Sequence, residues 1–258
     1  NNFLNEKNSF VFESVEKGVI KGRYTIFGKN PDKIWEFNNN NCFIYKKNKK
    51  IKIKGNPKKI IENIIENFKF NIPKNLPPIS SILSGYFSYD IIRYIENIPD
   101  KCIDDLKIPD IRIIRPKTLI IHDNLKKKIY YIINCFGDEK IKHYLSYYNK
   151  QILHIQNLKY LASFKNNKKN ISNQRIKKNK VKSNISKKEF KNIVLKAKNY
   201  IKKGDIFQVV LSQRFETKLT KSPLEIYKKL RINNPSPFMY FFNFNDFQII
   251  GSSPEILV

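Results

Sequence analysis

Five short runs in the first ~55 residues alternate apolar and polar side chains: Ser9–Val15, Arg23–Phe27, Lys33–Phe37, Cys42–Tyr45 and Lys49–Lys54. A period of two places one apolar face along each run, the mark of a half-buried strand. Asn56 then stands before Pro57 as an N-cap before a first helical position. Ile60, Ile61, Ile64, Ile65 and Phe68 follow at helical spacing, which predicts a helix to about Lys69. Pro73–Pro78 reads as a loop, and Gly85–Asp90 as a buried strand entering a helix near Arg93. Arg115–His122 and Lys128–Cys135 form a hairpin across Asp123–Lys126. Ile141, Tyr144, Leu145, Tyr148, Ile152 and Ile155 put an apolar stripe on a further helix.

The stretch from Asn166 to Asn184 is rich in lysine and sparse in apolar residues, too polar to offset its own ordering entropy, and reads as a linker. Beyond it, Ser186 and Glu189 make a capping box ahead of Phe190, Ile193, Val194, Ala197, Tyr200 and Ile201, with Gly204 as the stop. Ile206–Phe215 is read as a strand, rich in branched side chains. Ser222-Pro223-Leu224-Glu225 starts a second capped helix, running to about Arg231. Pro235 and Pro237 at alternate positions forbid helix and fix an extended turn. Phe238–Phe244 and Phe247–Ile250 pair across Asn245–Asp246. Helices interleaved with hairpins predict an α/β (α+β) fold, antiparallel sheet faced by helices.

The 50 Lys+Arg against 22 Asp+Glu give a net charge of +28, ordinarily a nucleic-acid signature. The distribution argues against it. Arginine, the preferred base-reading cation, occurs only at 23, 93, 112, 115, 175, 214 and 231. Lys, Asn, Ile, Tyr and Phe abound while Ala is nearly absent, as in a chain drifting toward A/T-rich codons. No apolar run is long enough for a membrane span, and the first thirty residues carry no charged-then-apolar-then-small pattern, so no secretory signal is visible in them. Cys42, Cys102 and Cys135 are scattered singly, which speaks against a disulfide framework or a zinc knuckle and for a reducing compartment.

His122, His143 and His154 share no ligand spacing, and no phosphate loop or nucleophile elbow is present. Three polar segments stand out: Lys203–Gln208, Asn234–Phe241 and Gly251–Glu255. Gln208 sits inside the expected strand, where a buried amide must find partners or cost about 1–3 kcal/mol. Glu255 places a carboxylate on a Ser/Pro turn.

On these segments the chain resembles component I of anthranilate synthase, a chorismate-utilising family. The matching stretches are Val11-Phe12-Glu13-Ser14, Gly22-Arg23-Tyr24, Ser84–Asp90, Ile108–Asp110 and Arg115–Thr118. They continue with Gly204–Phe215 (GDIFQVVLSQRF), Asn234–Phe241 (NPSPFMYF) and Gly251–Val258 (GSSPEILV). The likeness runs in order over nearly the whole chain but covers about the first half of a family member. It implies stacked antiparallel sheets flanked by helices. It also implies an N-terminal domain over 1–165, a basic linker over 166–184 and the start of a chorismate-binding domain over 185–258.

The same resemblance implies an activity: chorismate and ammonia give anthranilate and pyruvate, with ammonia supplied by a glutamine amidotransferase subunit in the cytoplasm. Gln208 takes the place where sister isochorismate synthases carry a water-activating lysine; a glutamine cannot be that base, which suits an ammonia nucleophile. Glu255 matches the acid that protonates the departing hydroxyl, which requires a pKa raised by desolvation. Tryptophan, the feedback inhibitor, is expected between Glu13-Ser14 and Pro237-Phe238-Met239. The Mg²⁺ ligands are expected in the C-terminal half that this sequence does not cover, so the fragment alone is expected to be inactive. Aminodeoxychorismate synthase of folate synthesis is the neighbouring alternative, and a basic nucleic-acid-binding module the alternative from another class.

Overall fold

The structure is a computed structural model that describes residues 3–14, 22–46, 49–137, 143, 145–153 and 180–256. The chain forms two compact units, one of residues 1–164 with 223–258 and one of residues 165–222.

The first unit is built on a nine-stranded sheet in which every strand pair is antiparallel. Its strands are β1 (Ser9–Glu13), β2 (Tyr24–Asn38), β3 (Asn41–Lys46), β4 (Lys49–Ile53), β5 (Ser84–Phe87), β6 (Ile111–Asp123) and β7 (Lys128–Ile133). Two more, β10 (Phe238–Asn243) and β11 (Gln248–Ser253), come from the far end of the sequence. The sequence predicts two strands where the single long β2 lies. The register of β2 on β6 slips between Pro31 and Lys33, so Asp32 is the extra residue of a bulge. Arg115 of β6 holds that residue in place, donating from Nε to Asp32 Oδ1 at 2.8 Å and through a second contact to Oδ2.

The bulge divides the sheet into two halves that meet face to face. The first half of β2 pairs with β1 and with the end of β6; its second half pairs with β3 and with the start of β6. Between the halves lies a core of Phe10, Ile114, Leu119, Ile121, Ile132, Phe242 and Phe244. Tyr86 of β5 reaches across it, its ring 5.6 Å from Phe244 and 6.0 Å from Phe247. Arg112, nearly buried, ties both sides by pairing with Glu36 of β2 and with Asp246 in the β10–β11 turn. Stacked antiparallel sheet is therefore what the chain forms.

Helices cover the outer faces. The first, α1 (Pro57–Glu66), is capped by the Asn56 side chain, which accepts from the Lys58 and Lys59 amides. Its Ile60, Ile61 and Ile64 cover Trp35, Phe37, Ile111 and Ile113. Residues 145–153 are helical, and Tyr147 anchors them beside the bulge: its hydroxyl accepts from Asn30 Nδ2 at 2.6 Å. Ile141, Tyr144 and Ile155 of the expected stripe lie outside the described residues. The expected helix near Arg93 is a short 3-10 turn, Tyr89–Tyr94.

The second unit holds α2 (Lys187–Lys203), flanked by the two-residue strands β8 (Lys182–Ser183) and β9 (Phe215–Glu216). Ser186 and Glu189 form the expected capping box, and Gly204 ends the helix at φ +79°, a left-handed conformation that favours glycine. The predicted strand over Ile206–Phe215 is not formed: apart from β9, the segment is irregular. Phe207 is 95% and Val210 84% exposed. Branched side chains favour a strand only when a neighbour covers them, and no described residue of this unit does so. Most of the expected linker lies outside the described residues. The chain then returns to the first unit through α3 (Pro223–Asn233), which leads into β10.

Candidate functional site

The site grows from the pairing of β1 with both β2 and β10. Residue alternation sends Phe10 and Phe12 to the inter-sheet core, whereas Val11 points to the other face, against α3. Strand β10 repeats the pattern. Tyr240 and Phe242 face the core, while Met239 and Phe241 pack with Leu224 and Tyr227 of α3.

At the end of this strand trio a cavity of about 830 Å³ opens, a size suited to a small ligand. Its aromatic and apolar lining includes Phe12, Tyr24, Tyr130, Pro237, Phe238 and Tyr240. Leu76, Pro77 and Pro78 of the proline-rich loop close one side. Gly251 lies opposite Tyr240 in the hairpin, and a Cβ there would stand 2.0 Å from the tyrosine ring. Only glycine lets that ring lie flat across β11.

Polar groups are few and most are already engaged. Asp123, almost completely buried, accepts from Arg23 (Nε at 3.3 Å, a terminal nitrogen at 2.9 Å) and from the Leu125 and Lys126 amides. The Arg23 guanidinium, aided by those amides, lowers the Asp123 pKa to about 2. Ser14 differs. Its hydroxyl is buried, borders the cavity and has no hydrogen-bond partner among the described residues. A buried hydroxyl left unpaired costs about 1–3 kcal/mol, so it is a natural seat for a ligand's polar end.

All five residues expected around tryptophan, Glu13, Ser14, Pro237, Phe238 and Met239, border this one cavity. Two of them turn their side chains elsewhere. Met239 is 1% exposed in the core beneath α3, so the apolar wall is made by Pro237 and Phe238 with the rings named above. The Glu13 carboxylate accepts from the Tyr227 hydroxyl at 2.6 Å and from Arg231 Nε at 2.9 Å. Sequence reasoning did not single out Phe12, Tyr24, Lys126, Tyr130 or Tyr240. Phe12, Tyr24 and Tyr240 lie within the matching stretches, but only the pairing of β1 with β2 and β10 brings them together.

Gln208 and Glu255 are both exposed. Gln208 belongs to the second unit, in irregular chain rather than in the buried strand expected of it. Glu255 follows β11 in a turn where Ser253 Oγ donates to its carbonyl at 3.2 Å, and it does not border the cavity. The burial expected around that carboxyl is not supplied by the described residues. Among them, no group of three or more His, Cys, Asp or Glu side chains is placed to hold a metal ion such as Mg²⁺. No helix there is long and apolar enough to cross a membrane.

Comparison with known proteins agrees with this architecture. The profile of the chorismate binding enzyme family matches residues 10–258, and the chain belongs to that family. It is 41% identical over 255 residues to anthranilate synthase component 1 of Acetivibrio thermocellus, covering 96% of this chain and 51% of the relative. The Cereibacter sphaeroides protein of the same name is 33% identical over 256 residues, covering 97% and 51%. A crystal structure of anthranilate synthase component I from Streptococcus pneumoniae superposes with a TM-score of 0.74 at 28% identity, covering 94% of this chain and 52% of that one. The chain thus spans about half the length of the relatives it matches.

Proposed function

We propose that this chain is the effector-binding half of an anthranilate synthase large subunit, and that its aromatic cavity takes tryptophan. The observation that carries the reading is the buried Ser14 hydroxyl, without a hydrogen-bond partner among the described residues, at the edge of an aromatic hollow. An indole fits among Phe12, Tyr24, Phe238 and Tyr240 by ring-to-ring contact, and the amino-acid end finds a hydrogen-bond partner at Ser14. That the relatives are anthranilate synthase components supports the choice of pathway.

In the complete enzyme the reaction converts chorismate and ammonia to anthranilate and pyruvate, with a glutamine amidotransferase partner releasing the ammonia. Ammonia carries its own lone pair and attacks ring carbon C2 without a base. Gln208 serves to position it. Glu255 donates a proton to the C4 hydroxyl, which leaves as water while both ring double bonds shift one position. Loss of the C2 proton to solvent then breaks the C3–O bond, and the released enol takes up a proton to become pyruvate and leaves an aromatic ring. Both side chains are exposed in this chain, so the dry environment such chemistry needs has to come from the half of the fold that the relatives possess beyond it. The 258 residues are accordingly proposed to bind an effector without catalysing. Mg²⁺ would be held by that other half, and the compartment is the cytoplasm.

Equilibrium dialysis of the 258-residue chain against L-tryptophan, L-phenylalanine and indole tests the cavity. The reading requires saturable binding of one tryptophan per chain, with phenylalanine far weaker. For the chemistry, Glu255→Gln in a full-length protein carrying this sequence should abolish anthranilate formation at saturating ammonia; unchanged turnover refutes the acid assignment. Formation of a 4-amino product instead of anthranilate would select aminodeoxychorismate synthase.

A further inference from the structure

The sheet separates two kinds of residue at the end of β1. Ser14 borders the cavity on one side, while the preceding Glu13 sends its carboxylate behind the sheet to α3. Both carboxylate oxygens are engaged there. Tyr227 donates to Oε1 at 2.6 Å, and Arg231, one helical turn on, donates to Oε2 at 2.9 Å. The Glu13 side chain is 12% exposed and Tyr227 is 3% exposed, so this contact is sheltered from water. Burial, reinforced by the Glu13 carboxylate, pushes the Tyr227 phenol pKa upward and keeps it a donor.

The clamp stands where the ladder contacts of β1 among the described residues come to an end. Strand β1 ends at Glu13, and its pairing with β10 ends with Glu13 opposite Met239. Pairing with β2 stops one residue earlier, at Phe12 opposite Ile26. Ser14 therefore extends past the last ladder contact among the described residues, next to a side chain anchored on α3. A hydroxyl displaced by even an ångström loses hydrogen-bond geometry, so whatever fixes Glu13 also fixes where Ser14 points.

We infer that Tyr227 and Arg231 are positioning residues for the cavity: by clamping Glu13 on the far face of the sheet, they set the Ser14 hydroxyl against the amino-acid end of a bound ligand. The inference rests on the tryptophan reading above. It predicts an energetic link between two groups on opposite sides of a sheet that do not touch each other.

A double-mutant cycle on the 258-residue chain tests it, with L-tryptophan and indole as probes and calorimetric titration as the readout. Tyr227→Phe keeps the ring and its packing and removes only the donor. Arg231→Gln, at a side chain 48% exposed, gives a second variant with little risk to folding. Each single variant should weaken tryptophan about five- to tenfold and leave indole within twofold. Ser14→Ala should do the same, and Tyr227→Phe placed on top of Ser14→Ala should add less than twofold, because the positioned group is already gone. If tryptophan binds wild type but the two losses multiply, or indole weakens equally, the inference is overturned while the cavity assignment stands. If tryptophan does not bind wild type at all, both are overturned.

Discussion

Ser14→Ala should make the unliganded chain more stable and shrink the stability that tryptophan adds. The Ser14 oxygen is buried with no hydrogen-bond partner among the described residues, a state that costs about 1–3 kcal/mol relative to a satisfied hydroxyl. Alanine removes the polar atom and leaves the methylene carbon, so about 1 kcal/mol of stability should return. With tryptophan bound, the wild-type hydroxyl gains a partner worth about 1–1.5 kcal/mol, which the variant forfeits. Urea unfolding followed by circular dichroism, without and with saturating L-tryptophan, reads both quantities from two midpoints. With a denaturant slope of about 3 kcal/mol per molar for a chain of this size, the apo midpoint should rise by about 0.3 M. The ligand-induced shift should shrink by a similar amount. A variant that is less stable than wild type without ligand, yet gains as much from tryptophan, would refute the argument. In that case Ser14 would have a partner of its own and no part in binding.

Gly251→Ala should push the Tyr240 ring toward the cavity, since the added methyl would meet it at 2.0 Å. Tryptophan affinity should fall at least tenfold in the same titration, with a stability loss of about 1–2 kcal/mol. For thiol chemistry, burial raises the Cys42 pKa to about 12, while Cys102 is exposed. Iodoacetamide at pH 8 should therefore label Cys102 in the folded chain and Cys42 only in denaturant, as peptide mass mapping would show. Acid unfolding should carry the signature of Asp123, whose folded pKa of about 2 lies below the ordinary 3.8. That group's stabilisation is present in full above pH 3.8 and is lost as pH falls through about 2. Arg23→Gln should lower the urea midpoint at pH 5 and flatten its decline between pH 4 and pH 2; an unchanged slope would remove Arg23 as the cause.

Much of the fold was legible because local signals and tertiary pairing agreed. Ser186, Glu189 and Gly204 mark the ends of α2 by hydrogen bonds within a few residues, and the structure has those bonds. The Asn56-Pro57 start of α1 is similarly self-contained. The long β2 was not legible: Asn30 at φ +52° and Pro31 look like a turn, and the bulge that turns them into a bend depends on Arg115, distant in sequence. Ile206–Phe215 failed for the opposite reason. Its composition is that of a strand, but composition alone cannot supply the neighbour that would cover Phe207 and Val210.

Within the cavity, resemblance found the two segments that meet, and geometry redistributed their roles. Glu13 and Met239 occupy matched positions on paired strands, so both side chains go to the α3 face. Their neighbours Ser14 and Phe238 are left to the hollow. The aromatic wall escaped sequence reasoning because Tyr24, Tyr130 and Tyr240 converge only through strand register.

Crystals of the 258-residue chain grown with L-tryptophan test the assignment most directly. The indole should be found between Phe12, Phe238 and Tyr240, with the amino-acid end hydrogen-bonded to Ser14 Oγ and Glu13 still held by Tyr227 and Arg231. Tryptophan seated anywhere else on the chain, or a cavity that stays empty at saturating ligand, would contradict it.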